Sequence, residues 1–365
     1  MPDNLRYILV GAGGWGAHWC RLTLPRLKES GKAVCVAAVD TNPDALKNPQ
    51  EYLGVAKEHC YTDFSEALDV RQANFVLIVT PPAHHERLIE LSLIYDKHIL
   101  LEAPIAESME ATCRIYKKVK DSGRKMAIAV GNRFDQDKQT LERVIRANDF
   151  GRLNYIVGRF AVNFRRAGSW GAYRHQMHDP LFVEAATHHF EVLRGLTASE
   201  PKSVYAASWN APWGQFKSDT TGLVAMEMIN GVHCMYEGSL VNASSINPLS
   251  QEYFRAECES GTLELDRRGL HVLTGGASDE PKAMEIPLLD QPLWANALVT
   301  EQFCDWLLGA QPPLNALASH IQTAALVFAA VESGHTGKAI DVQDYLKKSY
   351  AAAKESLTST PSDLR

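Results

Sequence analysis

The sequence predicts an α/β protein in two parts: a doubly wound parallel sheet over residues 1–130 and a second α/β domain, with a mostly antiparallel sheet, over 131–365. Three observations predict it. Strand-like apolar runs alternate with helix-like periodic runs from residue 7 to about 130, and such alternation implies parallel strands joined by right-handed crossovers. The first strand-like run closes in a glycine-rich turn. Beyond about residue 132 several strand-like runs follow one another, two of them joined by Asn230-Gly231, a strong short-range hairpin signal.

The elements follow in order. Tyr7–Val10 is a buried first strand that runs into GAGGWG at 11–16, with Gly11, Gly13, Gly14, Trp15 and Gly16 in the turn that opens a helix. In that context Gly11 allows a tight turn, Gly13 lets the backbone approach a pyrophosphate, and Gly16 lets the helix pack close to the strand. The phosphates would meet the positive end of the helix. Val34–Asp40 (VCVAAVD) is the next strand, and it ends in Asp40, where a carboxylate can bind a ribose 2′-hydroxyl. Strand, glycine turn, helix and acid together predict a Rossmann dinucleotide-binding domain. Asp40 would repel a 2′-phosphate, and Thr41, Asn42 and Pro43 supply no arginine, so NAD is expected over NADP. NFVLIVT (74–80), HILLEA (98–103) and KMAIAVGN (125–132) continue the sheet, with HERLIELSLIYD (85–96) and ATCRIYKKVKDSG (111–123) as helices between.

The second part opens with a helix over roughly 137–147 and the alternating strand LNYIVGRFAVN (153–163), then a long loop rich in Trp, Arg and His. SVYAASW, TTGLVAMEMI, VHCMYEGSLV, YFRAECES and TLELD are the later strands. HIQTAALVFAAVESG (320–334) is an apolar helix, and the tail from Ser356 is expected to fray.

Composition narrows the function. A hydrophobic fraction of 45% with 22% charge suits a well-packed globular protein, and no apolar window approaches the length of a membrane span. No basic segment precedes an apolar export-signal core, so a cytoplasmic location is expected. Seven scattered cysteines without a Cys-x-x-Cys pair suit a reducing compartment, with no disulfide framework and no cysteine zinc site. A net charge of −6 without a basic cluster leaves no footprint for nucleic acid, and the expected partner is a small molecule.

Taken with GAGGWG, the motifs TPPAHH (80–85), LLEAP (100–104), EAATHHFE (184–191) and the C-terminal AAVESGHTGKAIDV resemble those of the glucose-fructose oxidoreductase, inositol dehydrogenase and rhizopine-catabolism family, Gfo/Idh/MocA, nearly end to end. The resemblance implies a Rossmann domain followed by an α/β domain with a large open sheet. It also implies NAD(P)-dependent oxidation or reduction of sugars, polyols and related compounds, and a homo-oligomer, dimer or tetramer, formed through the C-terminal sheet. It further assigns Thr80, Pro81, His85, Glu102, Ala103, Pro104 and Asn132 to the surroundings of the cofactor. One position departs. The family's catalytic lysine in Glu-Lys-Pro is Ala103 here, and alanine donates neither a proton nor a hydrogen bond.

A second cluster lies in RHQMHDPLFVEAATHH (174–189). Glu184 and His188 are spaced i, i+4, so on a helix they share a face. They stand where the resemblance implies an acid and a general acid/base histidine, a role that suits a side chain whose pKa lies near neutrality. Arg174 or His175 would stand in for the missing lysine. Arg133, Trp170, Trp209 and Trp213 are candidate substrate contacts, the tryptophans because flat apolar faces stack on sugar rings. A metal held by His175, His178, Asp179, Glu184, His188 and His189 is the competing reading, and no metal is expected, because His-x2-His in a loop is not a defined ligand spacing. The leading expectation is an NAD-dependent oxidoreductase acting on a sugar-like molecule. A redox-neutral NAD-using glycosidase or lyase and a non-catalytic NAD-binding protein are the alternatives.

Overall fold

The computed structural model describes residues 4–69, 72–277 and 280–359. The chain divides into two compact units. The first comprises residues 1–131, 296–321 and 349–365, and the second 132–295 and 322–348. The C-terminal portion therefore belongs to both units. It returns to the first because its aromatic and charged side chains fit there: Phe303 meets Phe75 edge-on, Asp305 pairs with Lys32 at 2.8 Å, and Tyr350 meets Tyr116.

The first unit holds six parallel strands, β1 (Leu5–Val10), β2 (Ala33–Val39), β3 (Cys60–Tyr61), β4 (Phe75–Ile78), β5 (His98–Glu102) and β6 (Met126–Ala129), in the order 3-2-1-4-5-6. This is the doubly wound order whose reversal between β1 and β4 opens a crevice at the strand C-termini. The central strands are apolar at nearly every position because helices cover both faces of such a sheet. The helix after β1 is not regular. It begins at Trp15–His18, widens into a π turn at Trp19–Thr23 and resumes at Leu24–Glu29. Pro25 has no N–H for the carbonyl of Arg21 and its ring crowds that carbonyl, so the turn ahead of it opens.

The second unit is built on nine strands: β7 (Leu153–Ala161), β8 (Pro201–Trp209), β9 (Thr221–Met228), β10 (His233–Ser239), β11 (Tyr253–Cys258), β12 (Thr262–Asp266), β13 (Gly269–Thr274), β14 (Lys282–Glu285) and β15 (Ile340–Asp341). Their order is 14-13-12-11-7-10-9-8-15, and every pair is antiparallel except β7 with β10. The β9–β10 hairpin turns at Asn230-Gly231, where Gly231 has φ +85°. One face of the sheet buries Ile156, Phe160, Val204, Val224, Met226, Cys234, Tyr236, Phe254 and Ala256. Helix Thr187–Thr197 packs on β7, and helix Gln136–Ala147 on β12 and β13. The other face carries Tyr205, Ala225, Met235, Val157 and Arg255 in one cross-strand row. Near the end of the chain a helix runs over Val342–Ser359, so residues 356–359 are helical, against the frayed tail expected from Ser356; 360–365 lie outside the described residues.

Candidate active site

In the first unit, the strand-to-helix turn is shaped by contacts that exclude any side chain. A Cβ on Gly11, whose φ is +92°, would lie 2.1 Å from the Val79 carbonyl oxygen, and one on Gly16 would lie 2.2 Å from the Gly11 carbonyl oxygen. Gly14 has φ +48°. The turn is then tied to the end of β2. The amides of Ala12 and Gly13 donate to Asp40 Oδ2 at 2.8 and 3.0 Å, and the Asn42 amide donates to Oδ1 at 2.8 Å. Asn48 Nδ2 adds a bond to the Ala12 carbonyl at 2.9 Å. A bare glycine turn with an acid beside it is the shape a dinucleotide needs, and the residues present fit NAD.

Glu102 ends β5 as a nearly buried carboxylate, and two indole N–H groups converge on its Oε1: Trp15 at 2.6 Å and Trp19 at 2.5 Å. Trp15 and Trp19 are one helical turn apart. Trp15 is half-exposed and stacks on His18, with ring centroids 4.3 Å apart. Ala103 and Pro104 follow through a cis peptide bond. His85 holds this loop in place. Its Nδ1 faces the carbonyls of Pro104 and Ile105 at 3.0 and 3.2 Å, and its Nε2 faces that of Thr80 at 2.9 Å. Burial pushes its pKa down to about 4, although the three carbonyls favour the charged form. The imidazole thus bridges the Thr80-Pro81 strand end to the Ala103-Pro104 strand end.

In the second unit Glu184 lies buried in a π-helical turn, Leu181–Ala186, directly ahead of the helix that carries His188. Its two oxygens have separate donors. Tyr173 Oη donates to Oε1 at 3.0 Å, and Arg174 Nε donates to Oε2 at 2.7 Å. Arg174 is itself held by the Trp170 carbonyl at 3.1 Å and lies over the rings of Trp170 and Tyr173, at 4.8 and 4.6 Å from their centroids. Trp170 in turn stacks on Phe164. The structure therefore assembles Trp170, Tyr173, Arg174 and Glu184 into one group, with half-buried His188 four residues beyond Glu184.

The remaining candidates are placed elsewhere. His175 is buried with its ring stacked on Phe216 at 4.0 Å, its nitrogens facing the carbonyls of Gly171 and Phe164. His189 bonds Tyr236 Oη at 2.8 Å and lies 3.6 Å from Glu252. Arg133 is buried against Glu191 at 2.7 Å and Glu142 at 3.5 Å, with Gly195 pressed on its guanidinium. Those contacts place it in a charge network inside the second unit, with Arg194 pairing Glu191 at 2.9 Å as a further member. Asn132 donates to Glu252 at 2.8 Å. Burial would raise Glu252, but Lys138, 2.8 Å away, holds its carboxyl well below the usual carboxylate range. Trp209 and Trp213 are half-exposed or more, and Trp213 donates to the Val241 carbonyl at 2.9 Å beneath Arg165. The six residues of the competing metal reading do not converge. Among the described residues, the metal-ligand grouping is Asp179 with Asp219 and His335.

Sequence reasoning missed Trp19, Tyr173, Asp219 and His335. Trp19 was legible: it stands four residues after Trp15 on a predicted helix. The other three carry no periodic signal, because their roles depend on which loops meet.

A Rossmann strand order with a glycine turn and an acid, followed by an open, mostly antiparallel sheet with helices packed on it, defines a two-part nucleotide-binding protein. The chain belongs to the Gfo/Idh/MocA family: residues 5–130 match its NAD-binding Rossmann domain and residues 139–264 its C-terminal domain. It is thus an NAD-binding oxidoreductase. It is 40% identical over 344 residues to the uncharacterized protein y4oX of Sinorhizobium fredii, covering 93% of this chain and 96% of that one. It is 31% identical over 222 residues to an inositol 2-dehydrogenase of an Arthrobacter species, covering 59% and 62%. Solved structures share the fold at lower identity. An oxidoreductase of Agrobacterium radiobacter in complex with NAD+, L-tartaric acid and magnesium has a TM-score of 0.81 at 17% identity, covering 93% of this chain and 99% of that one. The WlbA dehydrogenase of Bordetella pertussis, with NADH and UDP-GlcNAcA, has 0.75 at 20%, covering 93% and 98%.

Proposed function

We propose that the chain is an NAD-dependent dehydrogenase or reductase of a sugar, polyol or related hydroxylated small molecule, with His188 exchanging the hydroxyl proton and Glu184 fixing the group around it. The observation that carries this reading is the double anchoring of Glu184 by Tyr173 and Arg174 beside His188. A carboxylate accepting from a phenol and a guanidinium is held in place as an acceptor, and the imidazole of His188, four residues on, is the group whose chemistry suits accepting and returning a proton near neutral pH. NAD, when bound, supplies the acceptor or donor of hydride. Gly11, Gly13, Gly14, Trp15, Gly16 and Asp40 would hold it, with Asp40 disfavouring a 2′-phosphate, and Glu102 and His85 would keep the neighbouring strand ends in place.

Ala103 leaves the substrate oxygen without the family's lysine. Arg174 is the better substitute of the two expected, because the nitrogens of His175 already face backbone carbonyls while the Arg174 guanidinium is partly open to solvent. Trp170, Trp209 and Trp213 are proposed as stacking faces for the substrate. A homo-oligomer through the outer face of the sheet is supported by Tyr205, Leu223 and Met235, each about half-exposed on that face. A cytoplasmic location remains part of the proposal; among the described residues no helix is long and apolar enough to cross a membrane.

The test is incubation with NAD and a panel of sugars, polyols and aryl glycosides, following absorbance at 340 nm together with product. NADH that accumulates with one substrate and is lost in His188→Ala supports the proposal. Ala103 favours a second reading, the redox-neutral one, which predicts glycoside cleavage without net NADH. A non-catalytic binder predicts silence in both channels. Ala103→Lys should raise polyol oxidation if the missing donor limits it.

A further inference from the structure

Asp179, Asp219 and His335 come from three stretches far apart in the second unit: the loop before the π turn of Glu184, the β8–β9 connection, and the last turn of helix Leu317–Thr336. Their ligand atoms all lie within 4.8 Å of one another. His335 Nε2 is 3.0 Å from Asp179 Oδ1, and Asp219 Oδ2 accepts from Ser208 Oγ at 2.6 Å. Asp179 is only 6% exposed. Among the described residues, no lysine or arginine pairs with either carboxylate.

We infer that these three side chains form a divalent-cation site for a first-row ion such as zinc or manganese. The inference is independent of the proposed reaction. A buried carboxylate is stable when it is paired or ligates a cation, and here two carboxylates converge on one imidazole. Even a charged His335 would leave one negative charge uncompensated. One imidazole nitrogen and two carboxylate oxygens are a mixed donor set that suits zinc or manganese. Tetrahedral ligands about 2.1 Å from such an ion lie roughly 3.4 Å apart, within the spacing observed. His335 lies at the exposed rim, with its side chain 54% accessible, so further coordination positions open to water. An ion here ties the β8–β9 connection and the end of the long helix to the residue from which the Glu184 turn starts, where the Val183 amide donates to the Asp179 carbonyl at 3.0 Å.

The full chain, stripped with chelator and dialysed, is titrated with zinc chloride by calorimetry at pH 7.5 and its bound metal counted after gel filtration. One zinc per chain is expected. His335→Gln keeps an amide that can donate to Asp179, and Asp219→Asn keeps an acceptor for Ser208, yet each should weaken zinc at least tenfold, and the pair should abolish it. Circular dichroism melts confirm folding. If the wild type takes up no stoichiometric zinc, or the double variant keeps it, the site is refuted. A measurement that needs no variant is the visible spectrum of the cobalt-loaded chain: ligand-field bands without thiolate charge transfer support the site, and strong thiolate charge transfer would assign the metal to cysteine and overturn it.

Discussion

Removing the charge of Asp40 should shift the cofactor preference from NAD towards NADP by about 10- to 100-fold, and the structure sets the scale. A carboxylate and a 2′-phosphate about 5 Å apart repel by roughly 3 kcal/mol per unit of phosphate charge at an effective dielectric near 20. Asp40 is partly exposed, so solvent and salt reduce that to about 1.5–3 kcal/mol, and each 1.4 kcal/mol is a factor of ten. A second effect runs with it. Asp40 accepts from Ala12, Gly13 and Asn42, and losing three charge-assisted bonds also loosens the turn that presents the phosphate cradle. Asp40→Ser keeps one small acceptor and removes the charge, so NAD should weaken while NADP strengthens relative to it. The assay is quenching of tryptophan fluorescence on titration with each nucleotide, since Trp15 stands in the turn. Wild-type protein that binds NADP as tightly as NAD, or a ratio unchanged in Asp40→Ser, would refute the reasoning.

Further outcomes are expected elsewhere in the chain. Arg133→Ala leaves Glu191 and Glu142 without one of their cations and should cost about 3–5 kcal/mol, seen as a melting temperature lower by roughly 10 °C; an unchanged melt with a raised KM would return Arg133 to the substrate. His85 has a folded pKa of about 4, below its unfolded value, so the unfolded chain binds more protons between about pH 6.5 and 4 and stability falls as pH drops through that window, by about 3 kcal/mol from this group. His85→Gln should flatten that part of the pH profile of denaturant unfolding, and equal slopes would contradict it. Gly16→Ala places a methyl 2.2 Å from the Gly11 carbonyl oxygen, so NAD binding should drop at least tenfold, measured by calorimetry, and wild-type affinity would show that the turn can move aside. Glu102→Gln removes the charge that two indoles share and should change the tryptophan emission of the free protein, which an unaltered spectrum would rule out.

The amino-acid sequence alone determined what depends on local pattern. Continuous apolar runs specified the central parallel strands, alternation specified β7–β12, Asn230-Gly231 specified a hairpin, and Gly11, Gly16 and Asp40 specified the dinucleotide turn, because each is a property of neighbouring residues and backbone sterics. Shorter elements escaped that reading. Strands β3 and β15 have two residues each, too few to show a period; β14 is an edge strand exposed at every position, and β13 beside it buries only Leu270 and Val272. Only the tertiary structure decided which polar groups meet. Trp15 and Trp19 reach Glu102 across more than eighty residues, Arg133 turns inward to Glu191, Tyr173 caps Glu184, and Asp179 meets His335 across 156 positions. Such pairings arise where loops from separate elements converge, and their energy depends on burial and charge that no local window contains.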